Sequence, residues 1–205
     1  GISGFFVRTD TPGFSVPSVI PIMGHLGADI GIVHLDQLRV PDRQRLGPLH
    51  KGLSVAMDGV SAGRLSLAGS CVGMAQWALH QALDYVKIRK TFGRVIAEHQ
   101  AVQMMLAECA MDIYSVKSML RHCAWLIDEG RDATKEVSMA KACATEMVSR
   151  VVDKAIQVHG AIGLTNELRL EEAYRWARVL RIPDGTAEIQ RRTIARRLLS
   201  GDTEI

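Results

Sequence analysis

"VQMMLAECAMDIYSVKSMLRHCAWLI", residues 102–127, decides how the chain is read. Val102, Leu106, Cys109, Ile113, Val116, Leu120, Cys123 and Ile127 recur at alternating steps of four and three. That spacing puts them on one helical face and favours shallow, left-handed packing against neighbouring helices. Gly130 stands where a left-handed residue would end this helix, and Asp132 or Thr134 can cap the next. Upstream, Ala68, Val72, Ala75, Leu79, Leu83 and Val86 stripe a helix expected over Leu53–Arg89, with a break at Gly59–Gly63. Downstream, Ala140, Ala144, Met147, Val151, Ala155 and Val158 stripe a third. "GAIGLTN" interrupts it, a shorter helix follows at about Leu168–Leu180, and the last begins near Thr186. Long helices with tight connections predict an antiparallel bundle of four or five helices.

The first fifty residues read differently. "GFFVRTD", "FSVPSVIPIMG" and "IGIVHLDQLRVP" are short, β-branched and broken by Gly and Pro, and the last roughly alternates around Val33, Leu35, Leu38 and Val40. These are signals for three or four strands. The fold class is therefore α+β, mostly α: a partial antiparallel β domain over residues 1–50, then an antiparallel four-helix bundle over residues 51–205. So small a sheet leaves an apolar face and unpaired edges, which predicts that the chain is the tail end of something larger or is completed by another chain.

The 205 residues carry a net charge of only +3, so charge gives no argument for nucleic acid. No apolar run approaches the roughly 20 residues that span a bilayer, and no secretion signal opens the sequence. Cys71, Cys109, Cys123 and Cys143 lack CxxC spacing and read as buried thiols of a reducing compartment, and the scattered histidines give no metal-ligand spacing.

Three stretches can carry chemistry. In "IRKTFGRVIAEHQ", Arg89, Lys90 and Arg94 gather charge around a Gly turn ahead of a helix, which suits a phosphate or pyrophosphate; a solvated basic turn explains the same residues. In "IQVHGAIG", two glycines allow close backbone approach while Gln157 and His159 can hydrogen-bond, and plain helix termination is the alternative. In "RIPDGTAEIQRR", Asp184 sits between Pro183 and Gly185, with Thr186 able to cap a helix and Glu188 in its first turn. That stretch is either an ordinary helix start or a carboxylate placed in an apolar setting as a general base.

Taken in order, "RKTFG…EHQAVQ", "AIQVHGAIGL" and "RIPDGTAEIQRR" resemble the signatures of the acyl-CoA dehydrogenases, flavoproteins that desaturate acyl-CoA thioesters between Cα and Cβ. "GFFVRTDTPGFSV" and "LDQLRVPDRQRLG" are similar to the end of that family's middle β domain. The resemblance implies the last part of a β-barrel or sandwich domain followed by the C-terminal bundle, with FAD as cofactor. It implies that Arg89 contacts the FAD pyrophosphate across a subunit interface with Phe92 and Gln100 alongside. Gln157, Val158, His159, Gly160 and Ala161 would border the adenine, although "HGA" stands where the family reads Gly-Gly. Thr186, Ala187 and Glu188 would touch the flavin nucleotide. Arg64 would contact the CoA portion beside Gly185, with Ser61 where many members have Asp.

The family's base is commonly a Glu before the Gly-Thr, and here that slot holds Asp184. A minority of members place the base on the first bundle helix, where this sequence has Gly63. The resemblance thus implies that Asp184 removes the α-proton while a β-hydride passes to flavin N5. Asp is one methylene short, and about 1 Å of misplacement can cost on the order of 10²-fold. Either the backbone or the substrate therefore sits differently, or the substrate is not a simple straight-chain acyl-CoA; the Asp form resembles a branch of the family acting on longer or unusual acyl chains. It further implies an electron-transfer flavoprotein as acceptor, a homodimer or homotetramer, and a cytoplasmic, mitochondrial-matrix or peroxisomal setting. Two alternatives stay open: a flavin oxidase of the same fold, acting on nitroalkanes, and a non-catalytic bundle for oligomerisation or partner binding.

Overall fold

The structure, a computed structural model, describes residues 1–24, 27 and 30–204. The chain divides into two compact units, Gly1–Ala62 and Gly63–Ile205.

In the first unit, β1 (Gly4–Phe5) pairs antiparallel with β4 (Arg45–Leu46), and β2 (Phe14–Ile20) with β3 (Ile30–Leu35). The β2–β3 register slips between Ser15 and Ser18. Pro17 falls in that slip, where the missing N–H costs no ladder bond. Strand β3 stops at Leu35, so the alternation expected through Leu38 and Val40 fails: Gln37 takes φ +48° and turns the chain. Val16, Val19, Ile32 and Val33 are each about half exposed, and Gly52 alone is buried among the described residues of this unit. The ribbon carries apolar side chains on both faces without a core of its own.

Five α-helices occupy most of the remainder of the described chain: α1 (Gly52–Ile88), α2 (Gln100–Asp128), α3 (Thr134–His159), α4 (Leu170–Leu180) and α5 (Ala187–Leu199). The break expected in the first helix at Gly59–Gly63 is absent, and α1 runs unbroken. A glycine in a helix interior costs only about 1 kcal/mol, and beyond it α1 buries Ala68, Cys71, Val72, Ala75, Ala78, Ala82 and Val86. Those small side chains give a narrow seam for close helix approach. Helix α3 is central, buried over most of its circumference, and shares one core with α1, α2 and α4 through Met147, Val148, Val151, Val152 and Ala155. Truncating Met147, fully buried there, would cost about 2–5 kcal/mol.

The α2 seam holds at Cys109, Ile113, Val116 and Cys123 but not at its end, where Ile127 is exposed and Leu126 is buried. The last turn of α2 packs in a second cluster with Ala133, Val137 and Ala140, and that cluster pulls the face round by one residue. The α2 end is a Schellman closure: Gly130 (φ +68°) donates to Ile127 and Arg131 to Leu126. Asp132 then accepts from the Thr134 amide and hydroxyl at the start of α3. A hairpin, β5 (Lys90–Thr91) and β6 (Arg94–Val95), joins α1 to α2, and a 3-10 turn, Gly160–Leu164, follows α3.

Candidate active site

The α4–α5 turn gathers four chemically able side chains. Asp184 takes φ +55° and Gly185 φ +92°, a left-handed pair that costs a non-glycine residue about 1–2 kcal/mol. Side chains from three helices hold this turn by its carbonyls. Arg64 Nε on α1 donates to the Asp184 carbonyl at 2.8 Å. Gln190 Nε2 on α5 reaches the same carbonyl at 3.1 Å and that of Gly185 at 3.0 Å. Lys141 Nζ on α3 donates to the Gly185 carbonyl at 2.8 Å. Arg64, Lys141 and Gln190 are all buried, Lys141 and Gln190 at 0% exposure. With both its N–H groups on the turn, Gln190 leaves its Oε1 buried without a partner among the described residues, an omission worth about 1–3 kcal/mol. The local fold therefore favours fixing this backbone over satisfying that oxygen.

The backbone is pinned while the Asp184 carboxylate is only half-buried. It lies over Gly63: a Cβ there would stand 3.2 Å from Asp184 Oδ2, 3.7 Å from its Cγ and 4.0 Å from its Oδ1. The two positions that can bear a base by family resemblance thus face each other, one filled and one empty. Burial lowers the Lys141 ammonium from its ordinary value, and the charge of Asp184 is the foremost influence opposing that. Downstream, Thr186 caps α5 by accepting from the Ile189 amide at 3.5 Å. Ala187 is buried behind it, and Glu188 is exposed with its carboxyl held below the usual range, first by its own backbone amide and then by the Thr186 hydroxyl. Ser61, in the first unit, is exposed and donates to the Met57 carbonyl.

The remaining candidates gather elsewhere in the second unit. Phe92 (φ +50°) and Gly93 (φ +83°) make the tip of the β5–β6 hairpin, and Phe92 is 96% exposed. Arg94 donates to His99 Nδ1 at 3.2 Å, which leaves Nε2–H of His99 for the Thr91 hydroxyl at 3.2 Å. Arg89 and Gln100 flank the hairpin, both exposed. His159, buried at the end of α3, stacks on Tyr85 of α1 at 4.5 Å between ring centroids and uses Nδ1 on the Ala155 carbonyl. That stack brings the hairpin and the Gln157–Ala161 stretch to one end of the bundle, with Gln157, Gly160 and Ala161 exposed and Val158 half-buried. Gly160 (φ +65°) has open space where a Cβ would be. Along α1, Arg64 and Ile88 are 24 positions apart, about 36 Å at the helical rise.

Two corners result. One is a carboxylate on a pinned backbone beside Gly63, chemically able to accept a proton. The other offers guanidinium, amide and backbone groups around an exposed ring, a donor set suited to the pyrophosphate and base of a dinucleotide such as FAD. The sequence reading missed Lys141, Gln190, Tyr85 and His99. The signal for the first was a lysine set among Ala140, Ala142 and Ala144 on a core helix, and for Gln190 a polar residue in the first turn of α5.

A family model described as "Acyl-CoA dehydrogenase, C-terminal domain" matches residues 50–199. The chain is 42% identical over 198 residues to the probable acyl-CoA dehydrogenase YngJ of Bacillus subtilis, covering 97% of this chain and 52% of that protein. It is 38% identical over 199 residues to CarC, a subunit of the caffeyl-CoA reductase–Etf complex of Acetobacterium woodii, with coverage of 97% and 52%. Among solved structures it superposes on butyryl-CoA dehydrogenase from Megasphaera elsdenii with a TM-score of 0.93 at 29% identity, again over 97% and 52% of the two chains. The chain spans about half the length of these relatives.

Proposed function

Since the chain belongs to the acyl-CoA dehydrogenase family, we propose that it is the base-bearing half of an FAD-dependent enzyme that desaturates an acyl-CoA thioester between Cα and Cβ. The observation that carries the reading is Asp184: a half-buried carboxylate on a left-handed turn, held by three buried side chains and facing the vacant Gly63. Asp184 breaks the Cα–H bond as general base and keeps the proton on a carboxylate oxygen. FAD, when bound, supplies the acceptor for the β-hydride. Arg64 works from within the turn and keeps the base aimed, and Gly185 lets the turn pack closely on Gln190 and Arg64. Thr186, Ala187 and Glu188 present the α5 N-terminus to the flavin nucleotide, where amide N–H groups favour negative charge.

Arg89, Phe92, Gln100 and the Gln157–Ala161 stretch hold the pyrophosphate and adenine end. They lie far along the bundle from the base, which fits a flavin shared between two copies of the chain. An exposed row on α2, Met104, Met111, Tyr114 and Trp125, supplies the apolar surface for a homodimer or homotetramer. An electron-transfer flavoprotein is the proposed electron acceptor, in line with the complex to which CarC belongs.

The test is anaerobic addition of a panel of acyl-CoA thioesters to the flavin-loaded protein. Bleaching of the flavin by at least one thioester, with reoxidation by an electron-transfer flavoprotein and no hydrogen peroxide in air, is the expected result. No bleaching by any thioester, or stoichiometric peroxide, overturns the dehydrogenase reading. Light scattering at micromolar concentration checks the assembly, and a monomer would refute it.

A further inference from the structure

The turn behind the base has an element that the proposed reaction does not use directly. Lys141 comes from the central helix α3, is 0% exposed, and ends on the Gly185 carbonyl, one peptide beyond the carboxylate-bearing residue. A buried ammonium is costly to place, and a neutral side chain would fill the same volume. What the charge adds is a field directed at the turn. The groups facing it are Arg64 and Cys71 on α1, Asp184 on the turn and Glu188 on α5. Asp184 and Glu188 are the carboxylates among them. Cys71 is buried with its thiol pushed up to about 12, chiefly by burial, so it stays neutral and gives Lys141 no counter-charge. Gln190 leaves an oxygen unpartnered to hold the same two carbonyls.

We infer that Lys141 is a positioning residue for Asp184: its ammonium, bound to the Gly185 carbonyl, locks the left-handed turn that aims the carboxylate. The inference rests on the reading of Asp184 as the base. The facing charge of Asp184 opposes the lowering that burial imposes on Lys141, so the placement of the ammonium against the turn can be measured from the lysine side.

The experiment labels the lysine side chains of the protein with carbon-13 and follows Lys141, identified by the signal lost in Lys141→Met, through its alkaline titration by NMR. Asp184→Asn removes the facing charge, and the midpoint of Lys141 should move down. Asp132→Asn, at the distant α2–α3 turn, should leave it in place. A Lys141 midpoint that does not move in Asp184→Asn overturns the inference, as does one that moves equally in Asp132→Asn. In the flavin-loaded protein, Lys141→Met should lower kcat by about tenfold or more, as loss of alignment does, with KM for the thioester and flavin content nearly unchanged. An unaltered kcat also overturns it. Should Lys141→Met fail to fold, Lys141→Arg, which also removes the lysine signal, makes the assignment, and the Asp184→Asn titration still decides. A coupled titration in a protein that desaturates no thioester would sink the proposed function and leave the positioning intact, so the two failures are told apart.

Discussion

At one corner of the helical unit Asp184 (φ +55°) precedes Gly185 (φ +92°); at another, Phe92 (φ +50°) precedes Gly93 (φ +83°). The backbone pattern is the same, a non-glycine in the left-handed region followed by a glycine, and the surroundings are opposite. Four hydrogen bonds from Arg64, Gln190 and Lys141 hold the first turn by its carbonyls. The second is closed by a two-residue ladder, Lys90 to Val95 and Thr91 to Arg94, with its aromatic tip in solvent. The fold completes the first corner from within. The second leaves its strained residue exposed, its ring meeting His99 edge-on at 6.2 Å between centroids. A group that must meet a reacting atom within fractions of an ångström gains from rigid support, whereas a ring that closes over a ligand or a neighbouring copy gains from exposure.

The largest expected effect separates the corners by chemistry. Asp184→Asn keeps the side chain's shape and should retain bound flavin while turnover falls by about 10²–10⁴-fold, the share a general base supplies. Steady-state rates alongside flavin absorbance check this, and surviving turnover would remove Asp184 from the role.

The next separates them by rigidity. A Cβ on Gly185 would meet Gln190 Nε2 at 2.9 Å, Ile189 Cγ2 at 3.2 Å and Arg64 Nη2 at 3.3 Å, while one on Gly93, its chain neighbours aside, meets nothing within 4 Å among the described residues. Both alanines bear the left-handed penalty, and only the first adds a clash. Gly185→Ala should destabilise by about 2–3 kcal/mol and Gly93→Ala by about 1 kcal/mol. Urea denaturation reads the difference, and equal losses would mean that the two turns are supported alike.

These contrasts mark where the sequence was legible. Helical faces were, because a period of 3.6 shows in the residue types themselves: Cys109, Ile113, Val116, Met147 and Val151 are buried as their spacing predicts. Ile127 was misjudged because the α2–α3 closure, a tertiary event, rotates the last turn. The unbroken α1 was misjudged because glycine propensity is a weak prior beside packing. The Asp184 motif was readable as local chemistry, but the clamp was not. Its acceptors are backbone carbonyls, which have no sequence signature, and its donors lie 120, 43 and 6 positions from Asp184. The hairpin was seen as a basic turn, since two-residue strands leave no periodicity.

Phe92→Ala tests the exposed corner. A side chain 96% in water contributes little to folding, so stability should stay within about 0.5 kcal/mol of the parent. If the ring closes over the flavin nucleotide or a second copy, flavin affinity should fall by about tenfold, the scale of an aromatic contact. Flavin release measured by fluorescence, beside a urea curve, decides between the two. A destabilised fold with unchanged affinity would reverse the contrast between the corners.

The smallest effect lies where α5 leaves the Asp184 turn. Thr186→Ala removes the cap and should cost about 0.5–1 kcal/mol at neutral pH. The Glu188 carboxyl lies below its ordinary 4.5, first through its own backbone amide and second through the Thr186 hydroxyl. A depressed folded value means that its contribution is complete above 4.5 and is lost as pH falls through the lower, folded value. Without Thr186 the second cause is gone, and the Glu188 titration moves up toward 4.5. The gap between parent and variant should therefore be widest at neutral pH and narrower in acid, where only the cap remains. Urea midpoints at the two pH values check it. A gap of constant width would show that Thr186 supports the helix alone and leaves Glu188 to the α5 N-terminal amides.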